Sequence, residues 1–316
     1  MNPTADLPLV SIVTPSFNQS RFLEQTIQSV LGQDYPHLEY LLVDGASTDG
    51  SLDIIQKYSN RIDWWVSEAD NGQADAINKG LHRAKGEFVA WINSDDYYLP
   101  GAIDQAVSTF IQHPSAGLVF GDVLAIDEKG QSTNQLRYGN WSLLDLMSFR
   151  VIGQPSVFMR RSVLQQAGFM DPSYHYLLDH QLWIRMGQIA EICYIPDNLS
   201  AARFHAESKN VARAKEFGSE AYRILDWMRS QPKLESILNT NWKRIQAGAH
   251  RLSAFYLLDG GDASASLQEY RRSFSLDPRT ALQDWKHVLF ACASVLGLGR
   301  LGTLYKRLRQ KKLFKS

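Results

Sequence analysis

Between residues 10 and 195 the chain alternates short apolar runs with helix-spaced segments, and that alternation leaves few folds open to it. A run that is apolar on both faces has to be covered on both, which is how a parallel-type sheet flanked by helices is built. Strands are predicted at 10–14 (stopped by Pro15), 40–43, 63–66, 88–92, 117–120, 157–159 and 192–195. Helices are predicted at 22–31, with Ser20 as cap, at 74–84 and 101–112, and from Thr48, Asp49 and Ser51 to Tyr58. The fold class is therefore α/β, a mixed central sheet flanked by helices. After residue 212 strand signals fade, and 216–229, 242–258, 263–274 and 280–295 read as helices. Two domains are expected, 8–212 and a helical C-terminal region at 213–316.

Within that second region, residues 249–278 carry Gly260-Gly261-Asp262 between two helices, like a single tetratricopeptide-type hairpin. Charge is uneven although the total is zero. Seven basic residues and no acidic one fall in 300–316, so the other 26 of 33 basic residues face all 33 acidic ones, a net charge of −7. An acidic body argues against nucleic-acid binding. The stretch 288–316 reads either as a solvated helix or as a basic amphipathic tail touching an anionic membrane surface. Its apolar part falls far short of the ~20 residues that span a bilayer. No basic and apolar leader opens the chain, and Cys193 and Cys292 lack metal or redox spacing, so buried thiols and a cytoplasmic location are expected. The G-x-G-x-x-G string at 297–302 lacks the strand before it and the acid after it that a dinucleotide site needs.

The chemistry is concentrated at strand ends. Asn93-Ser94-Asp95-Asp96 follows the run at 88–92. Adjacent carboxylates repel each other, and they sit where an open α/β sheet puts its ligands. A hard divalent cation, Mg²⁺ or Mn²⁺, shared with a substrate phosphate would make them useful. Asp44 ends an earlier strand and is followed by Gly45. Its carboxylate can accept a ring N–H of a base while the glycine lets that base approach, although an Asx-turn explains the same pair. Pro15 and the Ser16-Phe17-Asn18 turn would form the neighbouring wall. Asp70, Gln73, Asp75 and Asn78 belong to a polar stretch entering a helix, where Asp75 and Asn78 share a face suited to sugar hydroxyls.

Thr14-Pro15-Ser16-Phe17-Asn18, Val43-Asp44-Gly45-Ala46-Ser47-Thr48-Asp49-Gly50, the stretch 70–80 and Asn93-Ser94-Asp95-Asp96, in that order, resemble the motifs of family 2 inverting glycosyltransferases with the GT-A (nucleotide-diphospho-sugar transferase) fold. The resemblance covers about 8–210. It implies that Asp44 binds the nucleobase, that Asp95 is the metal ligand of a DxD-type motif, and that Ser94 and Asp96 line the donor site. Asn93 stands where the family often has an aspartate, which removes one charge from the metal. Leu178-Asp179-His180 resembles the family's acidic motif and implies Asp179 as catalytic base, although an N-cap aspartate would look the same. Ala202 through Lys209 resembles the closing segment, implying His205 as metal ligand or phosphate donor and Arg203 or Lys209 as diphosphate clamp. Gly153-Gln154-Pro155-Ser156 resembles an acceptor-side loop and is given no role. The implied reaction moves a sugar from a nucleoside diphosphate, uridine-based, to a glycan or glycolipid hydroxyl. The rival readings are a non-catalytic nucleotide-sugar-binding or scaffolding protein and a sugar nucleotidyltransferase. The latter is disfavoured because residues 15–19 contain no glycine.

Overall fold

The computed structural model describes residues 7–205 and 213–296. These divide into two compact units. The first holds the chain up to Ile126 together with Gln135–Ser142 and Ile152–Arg203, and the second holds Asp127–Asn134, Leu143–Val151 and the chain from Phe204 on.

The first unit carries strands β1 (Val10–Ser16), β2 (Leu38–Asp44), β3 (Trp64–Ser67), β4 (Phe88–Trp91), β5 (Tyr97–Tyr98) and β6 (Ala116–Ile126). They are followed by β7 (Ser132–Leu136, of which only Gln135 and Leu136 belong to this unit), β8 (Val157–Arg160) and β9 (Glu191–Arg203). Hydrogen bonding orders the sheet β3-β2-β1-β4-β8-β6-β9-β5. The half β3-β2-β1-β4 is parallel, β8 runs antiparallel to both β4 and β6, and β9 is again parallel to β6. Helices α1 (Ser20–Leu31), α2 (Ser51–Tyr58), α3 (Gln73–Arg83), α4 (Ala102–Gln112), α6 (Arg161–Ala167) and α7 (Leu178–Gly187) belong to this unit, while the short α5 (Leu143–Met147) lies in the second.

β1 is buried along its whole length. It runs through Pro15 rather than stopping there, and the reason is directional. Ser16 and Val10 turn their polar groups to the β2 side, Val13 turns its carbonyl to β4, and β4 pairs no further than Trp91 opposite Val13. The N–H that Pro15 lacks would have pointed past the end of that pairing, so no ladder bond is lost. α3 lies close on β1: a Cβ on Gly80 would come within 2.3 Å of a Val13 methyl. On the opposite side Phe88 and Phe110 stack at 4.2 Å in a cluster with Ile12, Leu42 and Ile103. Cys193 and Cys292 are half-buried rather than fully buried, and burial raises the Cys193 thiol above its ordinary pKa.

The second unit is helical: α8 (Phe217–Arg229), α9 (Glu235–Asp259), α10 (Ala263–Leu276), α11 (Pro278–Ala281) and α12 (Trp285–Val295). α9 and α10 form a hairpin that turns at Gly261, where φ is +83°. Asp262 caps α10 by accepting from the Ala265 N–H at 3.0 Å. Ser266 and Ser273 donate to the carbonyls of Ala254 and Ala247, which fastens the two helices at two points about two turns apart. α9 begins at Glu235, well ahead of the expected start of the hairpin, and its Gly248 lets the backbone at Ser148 approach where a Cβ would collide. Lys209 and residues 297–316, with the G-x-G-x-x-G string and most of the basic tail, lie outside the described residues.

Candidate functional site

Four parallel strands, β3, β2, β1 and β4, end side by side, and each delivers polar side chains at its carboxyl end. That edge is where ligands of open α/β sheets bind. Asp44 closes β2 opposite Ser16 of β1 and Ser67 of β3. It is fully buried. Its Oδ2 accepts from the Ser47 N–H (2.9 Å) and the Ser67 hydroxyl (2.6 Å), and its Oδ1 from the Ser47 hydroxyl (2.5 Å). A carboxylate oxygen has two lone-pair directions, so Oδ1 keeps acceptor capacity. Ser16 belongs to the turn expected to wall the site. Its hydroxyl is buried and makes no hydrogen bond with the described residues. Phe17 is 60 % exposed, an unusual position for a phenylalanine. A Cβ on Gly45 would lie 2.6 Å from Asp70 Oδ2 and 3.3 Å from the Phe17 ring, so these three residues share one spot beside Asp44.

Other residues of this edge hold it rigid. Asn18, at φ +51°, accepts from the Thr48 N–H (2.9 Å) and donates its own backbone N–H to the Ser47 hydroxyl oxygen (2.8 Å), which fixes the loop after β2. Asp49 takes bonds from Ser51 and from the Ser20 N–H. Burial alone would raise its pKa, but these bonds outweigh it and hold the carboxyl at about 2. Asp70 accepts from the Gly72 N–H, and Asp75 accepts from the Asn71 backbone and side chain. Asn78 turns both amide groups to the Met170 backbone (2.9 and 3.0 Å), so it anchors the 167–171 loop instead of presenting an amide to sugar hydroxyls. Arg185 holds the same loop, donating to the carbonyls of Ala167, Gly168 and Phe169, each at 2.7 Å.

After β4 an amide relay organises the acidic turn. Gln73 Nε2 donates to Asn93 Oδ1 (2.8 Å), Asn93 Nδ2 to Gln154 Oε1 (3.1 Å), and Gln154 Nε2 to the Trp91 carbonyl (2.8 Å). The loop containing Gln154 thus reaches the site that its sequence had left without a role. Thr26 of α1 donates to the Asp96 carbonyl (2.6 Å) and lies 3.0 Å from the carbonyl of the buried Ser94. The neighbouring carboxylates separate. Asp96 points inward, with Oδ1 accepting the Arg203 backbone N–H (2.9 Å), while Asp95 is half-buried. Burial and the charge of Asp95 raise the Asp96 carboxyl well above the usual carboxylate range. Arg203 is buried, its guanidinium 4.6 Å over the Phe22 ring and bonded to Gln25 (2.6 Å) and the Asp95 carbonyl (3.0 Å). Arg203 therefore braces the turn from inside, a different role from a diphosphate clamp.

Asp179 lies half-buried in the first turn of α7, accepting from the His180 N–H at 2.7 Å. One turn on, Trp183 stacks on Trp91 of β4 at 5.3 Å, and both are fully buried. Side chains four apart share a helix face, so Asp179 is on the face that packs toward the strand leading to Asp95. His180 is fully buried. His205 is described, buried, and belongs to the second unit. Among the described residues no group of three or more His, Cys, Asp or Glu could hold a metal ion unaided.

Against known proteins, the model described as glycosyl transferase family 2 matches residues 11–168. The putative teichuronic acid biosynthesis glycosyltransferase TuaG of Bacillus subtilis is 32 % identical over 184 residues, covering 57 % of this chain and 72 % of that one. Glycosyltransferases of Rickettsia felis and Rickettsia conorii are 28 % identical over 66 % of the chain, which spans 36 % of their length. Among solved structures, S. aureus TarS 1–349 in complex with UDP aligns with a TM-score of 0.55 at 18 % identity, over 83 % of this chain and 89 % of that one. The mannosyltransferase PcManGT from Pyrobaculum calidifontis, in complex with GDP-Man and Mn²⁺, aligns with a TM-score of 0.61 at 17 % identity, over 93 % and 88 %. At these identities the structural likeness is one of fold.

Proposed function

The chain belongs to glycosyl transferase family 2 and has its GT-A fold, and from that premise we propose that it transfers a sugar from a uridine-diphosphate donor to an acceptor hydroxyl with inversion. The observation that carries the reading is the convergence of Asp44, Asp70, Asn93 and Asp95 at the carboxyl ends of adjoining strands. In this reading a uracil N3–H donates to Asp44 Oδ1, the base lies against Phe17, and the Ser16 hydroxyl gives the nucleotide a partner already inside the wall. Asp70 receives a ribose hydroxyl.

The donor set suits Mg²⁺ or Mn²⁺ as these ions are usually bound, by one or two carboxylates together with substrate phosphates. Asp95 would hold the ion, since Asp96 is bonded inward and Asn93 is held between two glutamines. When bound, the cation neutralises charge on the departing diphosphate. Asp179 then takes the acceptor hydroxyl proton as that oxygen bonds to the anomeric carbon. The carbon–oxygen bond to the diphosphate breaks on the opposite face, its electron pair leaves with the nucleotide, and the configuration inverts.

The acceptor class is proposed from the name of TuaG, a cell-surface polysaccharide intermediate, with the reaction on the cytoplasmic side where nucleotide sugars are made. Isothermal titration with UDP, with and without Mn²⁺, on wild type and Asp95→Ala tests the donor site. Metal-dependent UDP binding that disappears in the variant supports it. Binding of GDP in place of UDP would overturn the uridine assignment, and binding of neither would overturn the activity.

A further inference from the structure

The last described helix of the second unit presents an apolar stripe to solvent. In α12, Trp285, Leu289 and Leu296 (just past its end) are 51, 59 and 73 % exposed, at spacings that set them on one helical face with Cys292 between them. The opposite side faces inward, with Ala291 fully buried and His287 against Phe255 at 4.9 Å. Leu282 and Phe274 are also just over half exposed. Exposed apolar residues scattered singly are ordinary, but a row of them on one helix marks an interaction surface.

The charge of the sequence that carries the stripe selects the partner. Residues 285–316 contain eight Lys and Arg and no Asp or Glu. Lys286 stands beside the stripe, 5.5 Å over the Trp285 ring, and the nearest acid before it, Asp284, is paired with Arg251 at 3.0 Å. A second copy docking on this face would pair two chains that are both basic over this stretch, which like-charge repulsion opposes. α12 also cannot span a bilayer: its 11 residues reach ~16 Å against a core of about 30 Å. We propose that the α12 face lies on an anionic lipid surface, with the stripe in the interfacial layer, Lys286 toward headgroup phosphates, and the positive charge of the chain that follows adding to the attraction.

Co-sedimentation of the full chain with phosphatidylglycerol and with phosphatidylcholine vesicles tests this. Binding to phosphatidylglycerol is expected to exceed that to phosphatidylcholine by far, about fivefold per engaged basic residue, and to fall as salt rises. Trp285→Ser combined with Leu289→Ser should weaken it at least ~tenfold, with circular dichroism unchanged because both side chains are exposed, while Trp285→Phe retains it. Equal binding to both lipids, absence of binding, or full binding by the double variant would each overturn the proposal. So would self-association that the double variant abolishes while vesicles are ignored.

Discussion

Replacing Asn93 by aspartate would restore the charge this family often places there, and the amide relay predicts that the free protein pays for it. Asn93 accepts from Gln73 and donates to Gln154, which is committed to the Trp91 carbonyl. A carboxylate still accepts from Gln73 but cannot donate, so it would face Gln154 Oε1 at about the 3.1 Å now spanned by a hydrogen bond. Flipping Gln154 to supply a donor gives up its bond to Trp91. Either outcome leaves one partly buried group unsatisfied, roughly 1–3 kcal/mol. A third carboxylate also joins Asp95 and Asp96, the latter 3.5 Å from Asn93 Nδ2. The mutual repulsion favours holding a proton between residues 93 and 96, so the penalty should grow with pH. For a chain of this size ~2 kcal/mol corresponds to a melting-point loss of roughly 4–8 °C. Thermal unfolding of Asn93→Asp and Asn93→Ala at pH 6 and 8, with and without Mn²⁺ and UDP, checks it. The aspartate variant should melt lowest at pH 8 without metal and recover most when metal and nucleotide are added. A metal-free melting point equal to or above wild type would refute the relay argument.

Three further outcomes follow from the site. Asp179→Asn should lower kcat by ~10²–10⁴-fold while UDP affinity by titration stays within about twofold; an unchanged kcat removes Asp179 as the base. Asp96→Asn keeps an acceptor for the Arg203 N–H and removes a carboxyl whose folded pKa is raised by burial and by Asp95. A raised carboxyl favours folding only while protonated, so wild type loses stability as pH rises through that folded pKa. The melting-point advantage of Asp96→Asn should therefore widen from pH 5 to pH 8, and a constant difference would contradict an inward, protonation-prone Asp96. Gly80→Ala sets a Cβ 2.3 Å from a Val13 methyl; a cost of ~1–3 kcal/mol in urea unfolding, largely relieved by Val13→Ala, is expected, and additivity of the two changes would argue against that contact.

The strand positions and the helical second region were legible in the sequence because apolar runs and helical spacing report burial directly. Strand ends were not. Residues 192–195 are the apolar start of β9, yet the strand runs to Arg203, because its second half is held by pairing with β6 and β5 rather than by its own composition. The two-residue β5 exists only through that pairing and has no signal of its own. The acidic side chains of the candidate site were legible for the same reason that they are conspicuous, being charges at strand ends. What positions them was not. Gln154, Arg185 and Asn78 act through backbone carbonyls or amides distant in sequence, and no spacing rule connects Asn78 with Met170 or Gln154 with Trp91.

The pair Asp95-Asp96 shows how such support resolves an arrangement that looks self-defeating in the sequence. Two adjacent carboxylates facing the same way would share one repulsive field. Here a single buried arginine divides their roles. The Arg203 backbone N–H draws the Asp96 carboxyl inward, and its guanidinium, stacked on Phe22, fixes the Asp95 carbonyl from behind. One acid becomes part of the wall and gives up its charge readily. The other remains half-buried at the strand end, and its own backbone is tied. Arg203→Lys separates these contributions. The backbone bond to Asp96 survives, but a lysine cannot match the planar stacking on Phe22 or reach Gln25 and the Asp95 carbonyl together. The expected result is a folded protein whose metal-dependent UDP affinity falls about tenfold, near the loss of one charge-assisted hydrogen bond. If affinity is instead unchanged and only stability falls, Arg203 serves the core alone, and the position of Asp95 is set by Thr26 and the relay.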